Sequence, residues 1–313
     1  MYNPIKPYKH DILKAIEQTW HTPYLSVRRG VYPSFQKKFS YSYREVDHTD
    51  GIGTKGVYHW RAGTLHEAVL DALAMNLNDL AIMGATPYKL SNHISVPKED
   101  GRIRAIISAL ARECRKRNIA IVGGETSVHE HQDGLDISMT ISGFIKEYFS
   151  PLFHSGDTLI GLKSSGLHSN GFTAVRKVLG ARTRPEFTVP TIIYSDAILP
   201  MLETIPIRGM MHITGGAFTK LKDLLDGKAD AIIEQSAKLK PHNIFHELYR
   251  RGFSNKKMYT TFNCGIGFVL AVSPKDARRA LLKLPNAAII GTIVKGDGKV
   301  RITSAFDGKV VAL

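Results

Sequence analysis

Apolar positions recur along this chain with two periods, and the period switches repeatedly. Over 64–83, Ala68, Leu73, Met75, Leu77 and Leu80 run through one long segment. Thr64 opens it with Glu67 three residues on, the pattern of a capping box, and Gly84 and Pro87 close it. This spacing predicts the clearest helix of the chain. Helical spacing also marks 11–20 (Ile12, Leu13, Ile16) and 102–118 (Ile103, Ile106, Ile107, Leu110, Ala111). Short β-rich runs at 41–46, 88–96, 119–122 and 136–145 predict strands. Segment 28–39 is basic, aromatic and interrupted by Pro33, and reads as irregular.

The second half repeats the style. Strands are expected at 158–162, 231–234, 265–272, 287–294 and 300–302, with helices at 172–179, 192–205, 218–225, 243–250 and 274–282. Strands alternating with helices predict an α/β (α+β-like) protein with mixed sheets and flanking helices. Ser150-Pro151 and Ser155-Gly156-Asp157 punctuate the middle, so the expected domains are 1–150 and 151–313. A chain of 313 residues suits two domains.

Composition narrows the classes. The apolar fraction of 43% can fill a core in both halves. No run approaches the roughly 18–20 apolar residues of a membrane span. Residues 1–10 are polar, with no apolar h-region, so no secretory signal is expected. Cys114 and Cys264 lie far apart and form no CxxC pair, which fits a reducing cytoplasm rather than a zinc or disulfide framework. The net charge of +14 asks for polyanionic partners. The cations are scattered (Arg28-Arg29, Lys37-Lys38, Lys256-Lys257), without a helix-turn-helix or an aromatic-interleaved basic strand. That argues against nucleic acid and for phosphorylated metabolites.

The candidate chemistry sits in Gly-rich stretches. Asp50-Gly51-Ile52-Gly53-Thr54-Lys55 packs a carboxylate, a hydroxyl and a cation around two glycines. Gly123-Gly124-Glu125-Thr126 and Ser165-Gly166-Leu167-His168-Ser169-Asn170-Gly171 are further such stretches, and each is expected to be a turn. Backbone N–H groups in Gly-rich turns can approach phosphate oxygens. No GxxxxGK[ST] or GxGxxG pattern accompanies them. Asp71, Asn78 and Asp79 interrupt the apolar surface of the 64–83 helix and are expected to form one functional stripe. Mg2+ takes carboxylates together with substrate phosphates, so Asp50, Asp79 and Glu125 are the candidate ligands of a metal-bridged triphosphate. His168, in a Gly/Ser loop, is the candidate acid–base or phosphate-contacting group. Cys264 reads as a small buried residue.

These residues resemble the aminoimidazole ribonucleotide synthase (phosphoribosylformylglycinamidine cyclo-ligase) family. Asp50 to Lys55 is similar to its DG[VI]GTK, and the helix ending in Asn78-Asp79 to its NDL signal. Gly84-Ala85-Thr86-Pro87, Gly123 to Thr126 and Gly156 to Leu162 resemble GAEP, GGET and GDxLIGL. Ser164 to Phe172, Pro190 to Tyr194, His212 to Gly216 and Met258 to Gly267 are similar to SSGxHSNG[FY], PTRIY, HITGG and MYRTFNCGVG. The resemblance covers about 45–294. The HSNG, HITGG and TFNCG stretches separate the cyclo-ligase from superfamily members that share only the DGxGTK and ND signals.

The resemblance implies an enzyme of purine biosynthesis. ATP phosphorylates the formyl oxygen of formylglycinamidine ribonucleotide, and the amidine nitrogen then closes the imidazole ring. It implies ATP and Mg2+ on the N-terminal ATP-binding and dimerisation domain. There Asp50, Gly51, Gly53, Thr54, Lys55, Asn78, Asp79 and Gly123 to Thr126 meet the nucleotide, with Lys55 near phosphate. The phosphoribosyl substrate falls to Ser165, His168, Ser169, Asn170, Gly171, Thr214, Gly215 and Gly216 of the C-terminal domain. The catalytic set is Asp50, Lys55, Asp79 and His168, and a cytoplasmic homodimer is expected. Ser26 to Pro33 stands where the family carries a glycine-rich segment that folds over the nucleotide. The alternatives are therefore a divergent ATPase of the superfamily, with Arg28-Arg29 replacing that segment, or a non-catalytic nucleotide-binding paralogue.

Overall fold

The computed structural model describes residues 8–147, 151–180, 182–234, 236–284 and 286–313. Residues 1–7 of the N-terminal stretch, and 149–150 of the expected interdomain break, lie outside the described residues. The chain forms two compact units, Met1–Leu80 with Ala85–Tyr148, and Phe149–Leu313 with Ala81–Gly84.

The first unit runs α1 (Tyr8–Glu17), β1 (Leu25–Arg28), β2 (Ser34–Lys37), β3 (Arg44–Gly51), α2 (Lys55–Ala62), α3 (Leu65–Ile82), β4 (Thr86–Val96), α4 (Arg102–Lys116), β5 (Ala120–Val128) and β6 (Asp136–Ile145). Four strands form a sheet in the order β3-β6-β4-β5, antiparallel except for β4 against β5. The 28–39 segment is not irregular. β1 and β2 pair as a separate antiparallel hairpin, with Leu25 opposite Lys37 and Arg28 opposite Ser34. The 3.6-residue period of 102–118 becomes α4, which buries Ile103, Ile106, Ile107 and Leu110. α2 was not expected, because its buried face is Lys55, Gly56, Tyr58 and His59, which reads as polar by residue type. Phe39, Tyr43, Tyr88 and Phe144 build an aromatic cluster, with Phe39 stacked on Phe144 at 4.1 Å between ring centres. The end of α1 caps part of the outer edge of β5. Thr19 Oγ1 accepts from Ile121 N–H at 2.9 Å, and Trp20 Nε1 donates to the Ile121 carbonyl at 2.9 Å.

The second unit runs β7 (Thr158–Lys163), α5 (Phe172–Leu179), α6 (Ser195–Leu202), β8 (Ile207–His212), β9 (Ala229–Glu234), α7 (Asn243–Arg250), α8 (Asn255–Thr261), β10 (Ile266–Val272), α9 (Pro274–Lys283), β11 (Ala287–Lys295), β12 (Val300–Thr303) and β13 (Val310–Ala312). Seven strands form a mixed sheet in the order β13-β12-β9-β11-β7-β10-β8. The continuous apolar run of β10 is buried along its whole length, as a central strand covered on both faces requires. The helix expected at 218–225 is a 3-10 helix, Ala217–Leu224. β8 and α8 were not anticipated.

Antiparallel pairing of β10 between β7 and β8 has one consequence for the site. The loop after β7 (164–171), the loop after β8 (213–216) and the loop before β10 (262–265) emerge at the same end of three neighbouring strands.

Candidate functional site

In the first unit, pairing fixes where each carboxylate lies. Asp50 is in a cross-strand row with Met139, Asn92 and Gly124, whereas Gly51 is in the next row with Ser138, His93 and Glu125. Successive rows face opposite sides of a sheet. Asp50 therefore shares the face that carries buried Met139 and Asn92, and Glu125 shares the face of exposed His93. They also lie on opposite edge strands, three spacings of about 4.8 Å apart. The structure thus does not gather Asp50, Asp79 and Glu125 into one metal site within a single chain. Among the described residues no group of three His, Cys, Asp or Glu side chains is arranged for a metal ion. The Gly123 to Thr126 stretch, expected as a turn, is extended strand.

Asp79 is linked to the backbone of Asp50 through two residues the sequence did not single out, while the Asp50 carboxylate accepts from Gly51 N–H at 2.7 Å. His48 Nε2 lies 3.4 Å from Asp79 Oδ2, and His48 Nδ1 lies 3.0 Å from Asn76 Oδ1. Asn76 Nδ2 donates to the Asp50 carbonyl at 3.1 Å and to the Ala72 carbonyl at 3.0 Å. The bond to Asp79 raises the His48 pKa above its usual value, against the effect of burial. The i, i+2 spacing of His48 and Asp50 on a strand was the available signal.

Lys55 is turned inward rather than toward open space. Its ammonium is 1% exposed and lies 2.7 Å from Asp71 Oδ2, and His59 Nε2 lies 2.8 Å from the same oxygen. Burial alone would raise the Asp71 pKa, but the Lys55 charge and the His59 bond hold it far below the usual carboxylate range. Asp71 therefore lies in this buried triad, and Asp79 lies beside His48. Asn78 is fully buried. Gly51 has no room for a side chain, since a Cβ there would lie 2.6 Å from the Ile137 carbonyl oxygen. Gly53 turns in the left-handed region at φ 54° and Thr54 leads into α2.

A groove of about 480 Å³ opens beside the β5 edge. Its floor is Gly123 to Thr126, its walls are Ile12, Leu13 and Ile16 of α1 with Ile103 and Ile107 of α4, and Tyr32 and Pro33 of the hairpin complete it. Arg29 is bound by Glu17 and mostly exposed. Tyr32 and Pro33, rather than the arginines, reach this groove.

In the second unit the loop after β7 is stitched to the loop before β10 and to the 190–191 segment. Asn263 Nδ2 donates to the Gly166 carbonyl at 2.8 Å, and Ser164 N–H to the Gly265 carbonyl at 3.0 Å. Ser169 Oγ and Thr191 Oγ1 are 3.2 Å apart, and Ser165 Oγ donates to the Pro190 carbonyl at 2.6 Å. Gly171 is held at φ 77° with the Phe262 ring 2.3 Å from where a Cβ would sit, so only glycine fits. His168 does not line the surface of this loop. It is 1% exposed, in the left-handed region at φ 59°, and its ring packs toward Tyr194 and His212. Its Nε2 accepts from Ser165 N–H at 3.2 Å. Thr214 is buried, Gly215 and Gly216 are exposed, and Lys220 Nζ donates to Thr214 Oγ1 at 3.3 Å. Lys220 was missed, although it follows Gly216 by four residues. Cys264 is buried, and burial pushes its thiol well above the usual value.

Comparison with known proteins addresses both units. The model of the AIR synthase related protein N-terminal domain matches residues 38–145, and that of the C-terminal domain matches residues 154–303. The chain is 35% identical over 255 residues to a phosphoribosylformylglycinamidine cyclo-ligase from Thermococcus kodakarensis, covering 76% of this chain and 74% of that protein. It is 35% identical over 285 residues to one from Brevibacillus brevis, covering 82% of each. Among solved structures, hydrogenase maturation protein HypE in complex with ATP superposes with a TM-score of 0.63 at 16% identity, over 89% of this chain and 87% of that one. That likeness concerns the fold alone. The two domain models and the relatives agree over most of the sequence, and the chain belongs to the AIR synthase related family.

Proposed function

We infer that this protein is an ATP-dependent phosphoribosylformylglycinamidine cyclo-ligase. The observation that carries the reading is the convergence of the 164–171, 213–216 and 262–265 loops at one end of β7, β10 and β8. These are the three stretches that resemble the cyclo-ligase rather than its superfamily, and the curated relatives bear that name.

In this reading the formyl oxygen of formylglycinamidine ribonucleotide takes the γ-phosphoryl group of ATP. The amidine nitrogen closes on the same carbon and phosphate leaves. ATP and substrate become ADP, phosphate and aminoimidazole ribonucleotide. Positioning and charge neutralisation carry most of such a transfer.

Asp50 and Asp79 are the carboxylates that would hold Mg2+, which would neutralise charge on the phosphates of ATP. His48 holds the Asp79 carboxylate, Asn76 holds the Asp50 backbone carbonyl, and Lys55 with Asp71 and His59 fixes the start of α2 that follows Asp50-Gly51. The apolar groove over Gly123 to Thr126 suits a planar base. Ser165, Ser169, Asn170, Gly171, Thr214, Gly215 and Gly216 face the phosphoribosyl substrate. His168 holds their loop from beneath. In this reading Glu125 and Asp50, on opposite edges and faces of one sheet, meet one nucleotide across two associated copies of the chain.

The test is ATP-dependent formation of aminoimidazole ribonucleotide from formylglycinamidine ribonucleotide, beside an Asp79→Ala variant. Product from the wild type, and a loss of at least about 100-fold in the variant, are expected. A wild type that binds ATP yet forms no product and no substrate-stimulated ADP would favour the non-catalytic paralogue.

A further inference from the structure

We propose that Lys220, together with Thr214 and Asn170, forms the seat of the 5′-phosphate of the ribonucleotide substrate. The inference rests on the cyclo-ligase reading for the identity of the substrate. The seat itself rests on geometry in the second unit.

Three separate segments meet here, joined by two hydrogen bonds and by adjacency along the chain. Thr191 Oγ1 and Ser169 Oγ are 3.2 Å apart. The next residue, Asn170, lays its amide against Gly215, where an added Cβ would be 3.4 Å from Oδ1. Thr214 precedes Gly215, and its hydroxyl receives the Lys220 ammonium at 3.3 Å. None of these side chains is acidic. The set offers an ammonium, three hydroxyls and an amide, which is a donor set for an oxyanion.

One donor asks for an acceptor. Asn170 Nδ2 is shielded from solvent and makes no hydrogen bond in the chain. Such a group is rarely left so in a protein unless a ligand completes it. The backbone fits the same ligand. Gly216 and Ala217 both adopt left-handed conformations, at φ 80° and 46°, and the 3-10 helix that carries Lys220 begins there. Lysine meets phosphate as a compact point charge, which requires less geometric matching than a planar fork. Lys220 is thus a binding and specificity residue: it separates the nucleotide from the corresponding nucleoside and takes no part in phosphoryl transfer.

The experiment uses the full-length protein with Lys220→Ala, Lys220→Arg and, as a control for net charge, Lys222→Ala. Lys222 lies on the same 3-10 helix and is exposed. Binding of ribose 5-phosphate and of ribose is measured by calorimetry up to about 10 mM, and steady-state kinetics are measured with the ribonucleotide and with ATP. The wild type should bind ribose 5-phosphate more tightly than ribose. Lys220→Ala should weaken ribose 5-phosphate about 30-fold, the size of one charge-assisted hydrogen bond, and leave ribose unchanged. The KM for the ribonucleotide should rise by a similar factor while kcat and the KM for ATP stay within about twofold. Lys220→Arg should recover part of the affinity, and Lys222→Ala should resemble the wild type. Equal effects of Lys220→Ala and Lys222→Ala, an equal loss for ribose, or no preference of the wild type for ribose 5-phosphate would overturn the seat. The two claims fail separately. Lys220-dependent binding of ribose 5-phosphate without product contradicts the cyclo-ligase alone, and full turnover by Lys220→Ala at unchanged KM contradicts the seat alone.

Discussion

Asp71 has no exposure and holds the Lys55 ammonium and the His59 ring, so its removal strands the Lys55 ammonium inside the first unit. Breaking a buried pair from one side costs about 3–5 kcal/mol. Asp71→Ala should therefore lower the unfolding free energy of the first unit by that amount in a denaturant titration. The pH dependence has a definite sign. The folded-state pKa of Asp71 is depressed, so its contribution is present above the unfolded value of about 4 and is lost as pH falls. The stability gap between the wild type and Asp71→Asn should shrink below about pH 4. At this scale the sequence was informative about residue type and less so about direction. Asp50 and Asp79 were singled out as carboxylates, whereas the network reaches Asp50 only at its backbone carbonyl. Lys55 was expected at a phosphate because a lysine buried against an aspartate 16 residues on looks the same in sequence as a lysine facing solvent. His168 misled similarly: a Gly/Ser loop suggested exposure, whereas a left-handed backbone folds its ring under the loop. His168→Ala should loosen that loop and raise the KM for the ribonucleotide several-fold more than the KM for ATP. Equal changes in both would contradict the division of the site between the units.

Elements with an apolar face were legible, and those without one were not. α4, β6 and α7 appear where periodicity placed them, because a water-excluded stripe is what each one buries. α2 buries a lysine, a glycine and a histidine, and no hydrophobic pattern marks it. The β1–β2 hairpin leaves Val31 96% and Tyr32 84% exposed at its tip, so it too carries no inside-outside alternation there. Glycine pairs suggested turns, and at 123–124 they instead keep a strand edge bare. At 171 the glycine reading was sound. There the element-scale prediction is that Gly171→Ala costs about 1–3 kcal/mol, because a left-handed residue must accept a Cβ against Phe262. Thermal unfolding should show it, and substrate affinity should fall with it. A neutral substitution would mean that the ring moves freely, and would remove the reason for a glycine.

For the molecule as a whole, the cyclo-ligase reading gives the excess of positive charge a use. ATP and a phosphoribosyl substrate are both polyanions, and a net charge of +14 raises their local concentration at low ionic strength. We propose that Asp50 and Glu125, on opposite edges of one sheet, meet one nucleotide across two copies of the chain, and light scattering should then give a dimer mass in solution. A monomer with full activity would contradict the shared nucleotide site. No helix among the described residues is long and apolar enough to cross a membrane. The measurement that bears most directly on the central claim is product formation from formylglycinamidine ribonucleotide and ATP, followed for the wild type and Asp79→Ala side by side. The account predicts one aminoimidazole ribonucleotide and one ADP per turnover in the wild type and a loss of at least about 100-fold in the variant. Folded wild-type protein that binds ATP but releases neither product, or a variant as active as the wild type, would contradict it.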